Sequence, residues 1–358
     1  MRREHVPADA AARRARVERL LESARQVIDL AGGTGVELRQ RLVQTTGLSP
    51  EGVQLGITRA LELYPSEEEM LKLCNTAPAA PRVWVVLSAN VFVAAHRAIA
   101  LALASSATVF VKPSRRDPAL AEALCVACGG LFSIVPQLAV ESGDHVYAYG
   151  SDSTMQELRR DLPTGAIFHA HGTGMGAAFV TASDSLEHAA REIATDVVTF
   201  DQRGCLSPRL VALGPGVDGV AFAAQLATEL ARWETQVPMG QSSRAEQGER
   251  TWYRSVAAYA GHVFDAGPGC VSYFPDPRQV PIPPALRCVS VFSPHDLARA
   301  LEASAKLLTV VAADDSVLRQ RLLESYPYAR HVKLGAMQCP LFDGPVDRRV
   351  QDSDGLAS

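Results

Sequence analysis

Apolar positions recur at helical spacing from Ala8 to about Leu30, in a stretch rich in Ala, Arg, Leu and Glu, and Gly32, Gly33 and Gly35 close it. Two further helix starts follow. Ser49-Pro50-Glu51 places proline at a first helical position, and Ser66-Glu67-Glu68-Glu69 is a capping box ahead of Met70-Leu71-Lys72-Leu73. Residues 1–75 are therefore expected to form a helical lead-in.

Past the breaker run Thr76 to Pro81 the pattern changes. Val83 to Leu87 is an unbroken β-branched and apolar run of the kind buried on both faces, followed by a helix from about Val91 to Ser105 and a second strand, Thr108 to Val111. The alternation continues with helix Pro118 to Phe132, strand His145 to Tyr149, helix Thr154 to Leu162, and strands Gly165 to Phe168 and Ala177 to Thr181. A helix from about Leu186 to Thr199 then leads to strand Arg209 to Leu213. A second series follows: helices Val220 to Glu234 and Ala245 to Ala260, a proline-rich connection from Phe274 to Pro284, and strand Val289 to Phe292. Helix Pro294 to Leu307, strand Thr309 to Ala312, helix Ser316 to Ser325 and short strands near His331 to Leu334 complete it, while Gln351 to Ser358 is expected to be disordered. Strand-helix alternation predicts an α/β fold with mostly parallel sheets covered by helices on both faces.

Length, charge and cysteines narrow the class. At 358 residues, 47% of them hydrophobic, the chain is expected to hold two cores. Its net charge of -4 argues against nucleic acid or an anionic membrane as the main partner and leaves a small molecule or an acyl carrier. The charged N-terminus has no signal-like stretch and no segment is apolar for the length of a bilayer, so a cytoplasmic protein without stable membrane insertion is expected. Seven cysteines without framework spacing suit a reducing compartment. Cys125 and Cys128 make half of a metal or redox site at most, and their helical Ala/Leu setting favours simple burial.

Four segments offer chemistry. The run Phe200-Asp201-Gln202-Arg203-Gly204-Cys205-Leu206-Ser207-Pro208 has the glycine and proline of a turn that presents a thiol, with Arg203 at hand to favour the thiolate and backbone N–H groups for an oxyanion. A buried, inert cysteine fits the same residues. Asn90 follows the first strand, where it would point into a site or cap the next helix. Lys112, Ser114, Arg115 and Arg116 leave the second strand as a cationic loop, suited to an anionic ligand such as a 2′-phosphate or to solvent. No G-x-G-x-x-G is present; Tyr149-Gly150-Ser151 is a strand-to-helix turn fit for a pyrophosphate, and Gly172-Thr173-Gly174-Met175-Gly176 is a weaker lookalike. His169 and His171 are acid or base candidates near neutral pH and, lacking a third ligand, no metal site.

In order, Asn90, Lys112-Pro113-Ser114, Gly150-Ser151, His171-Gly172 and Cys205 resemble the motifs of the aldehyde dehydrogenase superfamily over nearly the whole chain. The Gln202-x-x-Cys205-x-Ser207-Pro208 run and the later Gly335-Ala336-Met337-Gln338-Cys339-Pro340 resemble its acyl-thioester reductase branch, the LuxC-type fatty acyl-CoA reductases. The resemblance implies two doubly wound αβα domains: the lead-in 1–75 packed on an NADP-binding domain at 76–183, a catalytic domain at 184–340 and a C-terminal tail at 341–358. It also implies that Cys205 is the nucleophile, that Asn90 and the Cys205 backbone N–H form the oxyanion hole, and that Lys112 binds the adenosine ribose.

Three departures from the family pattern carry meaning. NAD-preferring members have a glutamate three residues after the lysine, and Arg115 stands there, favouring NADPH. His171 occupies the place of the glutamate that activates water in hydrolytic members, so release of an aldehyde rather than an acid is expected, with His171 assisting proton transfer. Ser290 replaces the glutamate that holds the nicotinamide ribose before the Phe-Gly-Pro motif, here Phe292-Ser293-Pro294 with Phe292 implied to contact the cofactor, and the chain is shorter than typical relatives. The reading is an NADPH-dependent reductase of acyl-CoA or acyl-carrier thioesters, acting as a homo-oligomer or with an acyl-transferring partner. An oxidative NAD(P)-dependent aldehyde dehydrogenase and a non-reducing acyl-transfer scaffold are the alternatives.

Overall fold

The computed structural model describes residues 9–89 and 91–349. Four helices open it: α1 (Ala10–Ile28), α2 (Gly33–Thr46), α3 (Pro50–Ala60) and α4 (Glu67–Thr76). Val17, Leu20, Leu21, Ala24 and Val27 form the buried stripe of α1, which packs against the helices over the first sheet. The capping box of α4 is present, Ser66 Oγ accepting from Glu69 N–H at 3.3 Å and Glu69 Oε2 from Ser66 N–H at 2.7 Å. Helix α2 is the element that the glycine cluster concealed. Gly35 sits in its first turn because a Cβ there would overlap the Asp29 carbonyl.

The next elements are β1 (Val83–Val86), α5 (Ala94–Ser105), β2 (Val109–Lys112), α6 (Ala119–Cys128), β3 (Ser133–Ile134), β4 (His145–Tyr149), α7 (Asp152–Asp161) and β5 (Ile167–His171). Their strands make a parallel sheet in the order β3-β2-β1-β4-β5. One apolar core spans the lead-in helices, α5, α6 and this sheet, with Leu20, Leu42, Ile99 and Leu103 fully buried in it. Cys128 is buried on α6 and Cys125 half-buried, as the helical setting suggested.

Then come β6 (Met175–Val180), α8 (Leu186–Val198), β7 (Pro208–Leu213), α9 (Gly219–Gln236), α10 (Arg244–Ala260), β8 (His262–Ala266), β9 (Gly269–Phe274), β10 (Cys288–Phe292), β11 (Leu308–Ala312), α11 (Ser316–Ser325) and β12 (Arg330–Val332). They build a second sheet, β12-β11-β6-β7-β10-β9-β8, parallel except at the antiparallel edge pair β8-β9. Two readings change here. The strand expected at Ala177 to Thr181, placed with the first sheet, pairs between β7 and β11, so the chain crosses between sheets at Gly172-Thr173-Gly174. The helix expected over Pro294 to Leu307 is reduced to a 3-10 turn at Glu302–Leu307. Among the described residues no helix is long and apolar enough to cross a membrane.

Candidate active site

Strand order in the first sheet reverses between β1 and β4, which opens a crevice outside their carboxyl ends. A cavity of about 280 Å³ occupies it. Ser88 and Val91 after β1, Tyr149, Gly150 and Ser151 after β4, and His171 and Gly172 at the end of β5 wall one side; Arg203, Gly204, Cys205 and Leu206 wall the other. Cys205, Gly150, Ser151 and His171 therefore meet as the sequence pattern expected. Ser151 caps α7, its Oγ accepting from Thr154 N–H at 3.2 Å, so a helix N-terminus opens beside the cavity. Asn90 lies outside the described residues.

Lys112, Ser114 and Arg115 lie one strand further along the same sheet edge and do not line the cavity. The carbonyl of Lys112 accepts from Leu87 N–H at 3.0 Å, which holds it beside the exit of β1. Neither Lys112 nor Arg115 forms an ion pair among the described residues, and Ser114 Oγ accepts from Arg116 N–H at 3.2 Å. Phe292 has a different place from the one expected. It is buried in the core of the second unit with Met175, Ala177 and Leu210, because the inward face of β10 carries it away from the cavity.

The thiol is presented by an unusual backbone. Phe200, Asp201 and Gln202 are three consecutive non-glycine residues with φ of 58°, 49° and 63°, each a conformation that costs about 1–2 kcal/mol. Side chains hold them there. Asp201 Oδ1 accepts from Arg287 Nη2 at 2.7 Å and its Oδ2 from Gly240 N–H at 2.9 Å, while Gln202 donates to the carbonyls of Pro208 and Cys288 at 2.7 Å each and accepts from Cys288 N–H at 2.8 Å. Leu286 and Arg287, opposite, are left-handed too, at φ 70° and 60°. The result is a tight turn, Ser207 N–H to Gly204 carbonyl at 3.2 Å, with Cys205 at its tip and open to the cavity.

Arg203 does not serve the thiol. Its guanidinium turns to Glu246 Oε1 at 3.1 Å and to the carbonyl of Gln241, and the charges beside Cys205 are Asp347 and Arg349. Desolvation first, then the Asp347 carboxylate, push the thiol up to about 11, against the opposing pull of Arg349. The thiol is open to the cavity yet set deep among protein atoms, so it needs a base to ionise.

Asp347 and Arg349 come from a stretch that the sequence pattern left as a tail. Residues 341–349 instead cross the site as a strap. Arg97 on α5 donates to the carbonyls of Pro340 and Gly344 at 2.8 and 2.7 Å, and Arg330 Nη2 reaches Asp343 Oδ1 at 3.1 Å. Arg349 Nη1 binds the carbonyls of Thr173 and Lys306 at 2.9 and 2.8 Å, tying the strap to the crossover between sheets. The run Asp347-Arg348-Arg349 after a proline was the one signal available. The cavity has a second clamped carboxylate, Glu62, held by Arg97 Nε at 2.9 Å. Two motifs distant in sequence also meet: Gln338 Nε2 donates to Ser207 Oγ at 3.0 Å, behind Cys205.

The family model for acyl-CoA reductase (LuxC) matches residues 133–264, from β3 through the Cys205 turn to β8. Among solved structures, an oxidoreductase from Marinobacter aquaeolei superposes with a TM-score of 0.74 at 12% identity, covering 94% of this chain and 80% of that one. An NAD-dependent benzaldehyde dehydrogenase from Corynebacterium glutamicum gives 0.67 at 16%, covering 91% and 81%. Lactaldehyde dehydrogenase from Escherichia coli gives 0.68 at 13%, covering 91% and 78%. No curated protein sequence matches the chain. Two sheets with the cysteine turn between them are an α/β architecture with the same fold as these dehydrogenase structures. Over residues 133–264, which include the Cys205 turn, the chain is similar to the acyl-CoA reductase (LuxC) family.

Proposed function

We propose that this protein reduces an acyl thioester, carried on CoA or on an acyl carrier, to the aldehyde through a thioacyl-enzyme on Cys205, with NADPH as the cofactor. The observation that carries the reading is the state of the two cavity carboxylates. Asp347 is bound through both oxygens by Arg349, at 2.8 and 2.6 Å, and Glu62 by Arg97, so neither is a free base for the water that would release an acid. Arg349 and His171 hold the Asp347 carboxyl well below the usual carboxylate range despite its burial, which makes it a weak base.

The chain's residues fit a phosphorylated dinucleotide. Gly150 and Ser151 at the start of α7 would meet the pyrophosphate, and Lys112, Ser114 and the unpaired Arg115 would hold the ribose and its phosphate. Bound there, the cofactor supplies a hydride to the acyl carbonyl carbon. Cys205 gives its proton to His171 and its sulfur attacks the thioester carbon. The bond from that carbon to the carrier sulfur breaks, and the carrier thiolate takes the proton from His171. The Cys205 backbone N–H and Asn90 would stabilise the oxyanion. Hydride on that carbon gives a hemithioacetal oxyanion; its collapse breaks the C–S bond to Cys205, frees the aldehyde and leaves a thiolate that takes a proton from solvent.

The test is NADPH oxidation with a panel of acyl-CoAs, with aldehyde trapped as a hydrazone. Equimolar NADPH loss and aldehyde, absent in Cys205→Ala, is expected. Stable acylation of Cys205 without NADPH loss would overturn reduction in favour of acyl transfer.

A further inference from the structure

His171 is at the cavity with both ring nitrogens buried and, among the described residues, without a hydrogen-bond partner. Its ring is fixed, stacked on Tyr149 at 4.6 Å between centroids and 12° between planes. Nδ1 faces Asp347 Oδ2 at 3.9 Å, within ion-pair reach and beyond hydrogen-bond distance. The strap also places Arg349 at the thiol: a Cβ on Gly174 would overlap Thr309 Oγ1 and stand 3.1 Å from Arg349 Nη2 and 3.3 Å from Cys205 Cβ. Thiol, imidazole and carboxylate thus face one small volume from the turn, the first sheet and the strap.

We infer that Asp347 is the positioning residue for His171, and that the strap 341–349 completes a Cys205–His171–Asp347 relay whose last member comes from outside both sheets. The inference rests on the reading of Cys205 as the nucleophile. The proton leaves Cys205 Sγ for the ring nitrogen turned from Asp347, and the imidazolium so formed is paired by Asp347 through Nδ1–H. Left unpaired, the same carboxylate only repels the thiolate. Its sign of action on Cys205 therefore depends on His171. The other titratable groups on the elements packed around His171 are Tyr147 and Tyr149 from β4, whose rings stack with it, His169 on β5, Arg349 from the strap, and Asp152 at the start of α7, whose Oδ1 accepts from Thr173 N–H at 2.8 Å. Among the described residues Asp347 is the one acid within ion-pair distance of the ring.

The opposed signs give the test, which needs no substrate. Iodoacetamide alkylates the thiolate, and mass spectrometry of the Cys205 peptide separates it from the exposed Cys339. In the full chain, Asp347→Asn should slow Cys205 alkylation at pH 7 about tenfold. Asp347→Glu should retain about a third of the rate or more, and Asp347→Asn should add no loss on a His171→Gln background. Alkylation as fast as wild type or faster in Asp347→Asn marks a merely repulsive neighbour and overturns the inference, as does equal loss in the Asn and Glu variants. If Asp347→Asn does not fold, Asp347→Ser carries the same sign. Alkylation lost in these variants but no aldehyde made by wild type would leave the relay standing and remove the reductase reading.

Discussion

Arg287 donates Nη2–H to Asp201 Oδ1 at 2.7 Å, and both side chains are shut off from water at 1% and 2% exposure. The pair joins two left-handed segments that face each other across the root of the cysteine turn. Gly240 N–H on the other oxygen and Glu234 on Arg287 satisfy what remains of each charge. Removing one partner strands the other in a low-dielectric interior, so Asp201→Ala should lower unfolding free energy by about 3–5 kcal/mol, read from urea titrations. The same variant should lose alkylation selectivity at Cys205, since the turn is held open by this pair. A change under about 1 kcal/mol would contradict the assignment.

Cys205 itself carries little packing. It is exposed to the cavity, so Cys205→Ser should change stability by less than about 1 kcal/mol. Thioester-dependent NADPH oxidation should fall by about 1000-fold or more, because serine at neutral pH offers no comparable nucleophile. Steady-state rates with melting curves on the same preparation decide it; retained turnover would place the nucleophile elsewhere.

Arg115 is exposed and, among the described residues, forms no ion pair. Arg115→Glu should weaken NADPH by about 10-fold to 100-fold in KM, a loss of about 1–3 kcal/mol, and leave NADH almost unchanged. Equal losses with both cofactors would remove the 2′-phosphate from its role.

Asp196 links the Cys205 region to the 335–340 motif, accepting from Met337 N–H at 3.3 Å while its carbonyl takes Gln338 Nε2 at 3.2 Å. Burial is the main cause that pushes its carboxyl up to about 7, opposed by these N–H groups and by Arg59. A carboxyl raised in the folded state favours folding below its unfolded value of about 4, and that contribution is lost as pH rises through about 7. Asp196→Asn should therefore raise the melting temperature relative to wild type at pH 8 and give no gain at pH 4. Scanning calorimetry at the two pH values reads the sign directly; a gain confined to pH 4 would reverse it.

Much of the fold was legible because its signals are local. Buried parallel strands such as Val83–Val86 are continuous apolar runs, and α11 matches the expected span Ser316–Ser325 because Asp315 caps it. The pair β8-β9 was missed, since β8 is a partly exposed edge strand of mixed polarity and β9, though buried, is interrupted by Gly269 and Ser272. Helix α2 was missed because glycine at its start was read as an end. The strap has no period at all. It is held by side chains far away in sequence, Arg97 and Arg330 among them, and no local rule announces such bonds.

By itself the sequence determined the α/β alternation, the turn that offers Cys205 and the cations after the second strand. The tertiary structure decided which charges act on the thiol. Arg203, two residues from Cys205, is spent on Glu246 and Gln241, whereas Asp347, 142 positions on, stands beside it. Electrostatic influence in a buried site depends on distance through space and on desolvation, and neither quantity is written in the spacing of residues along the chain.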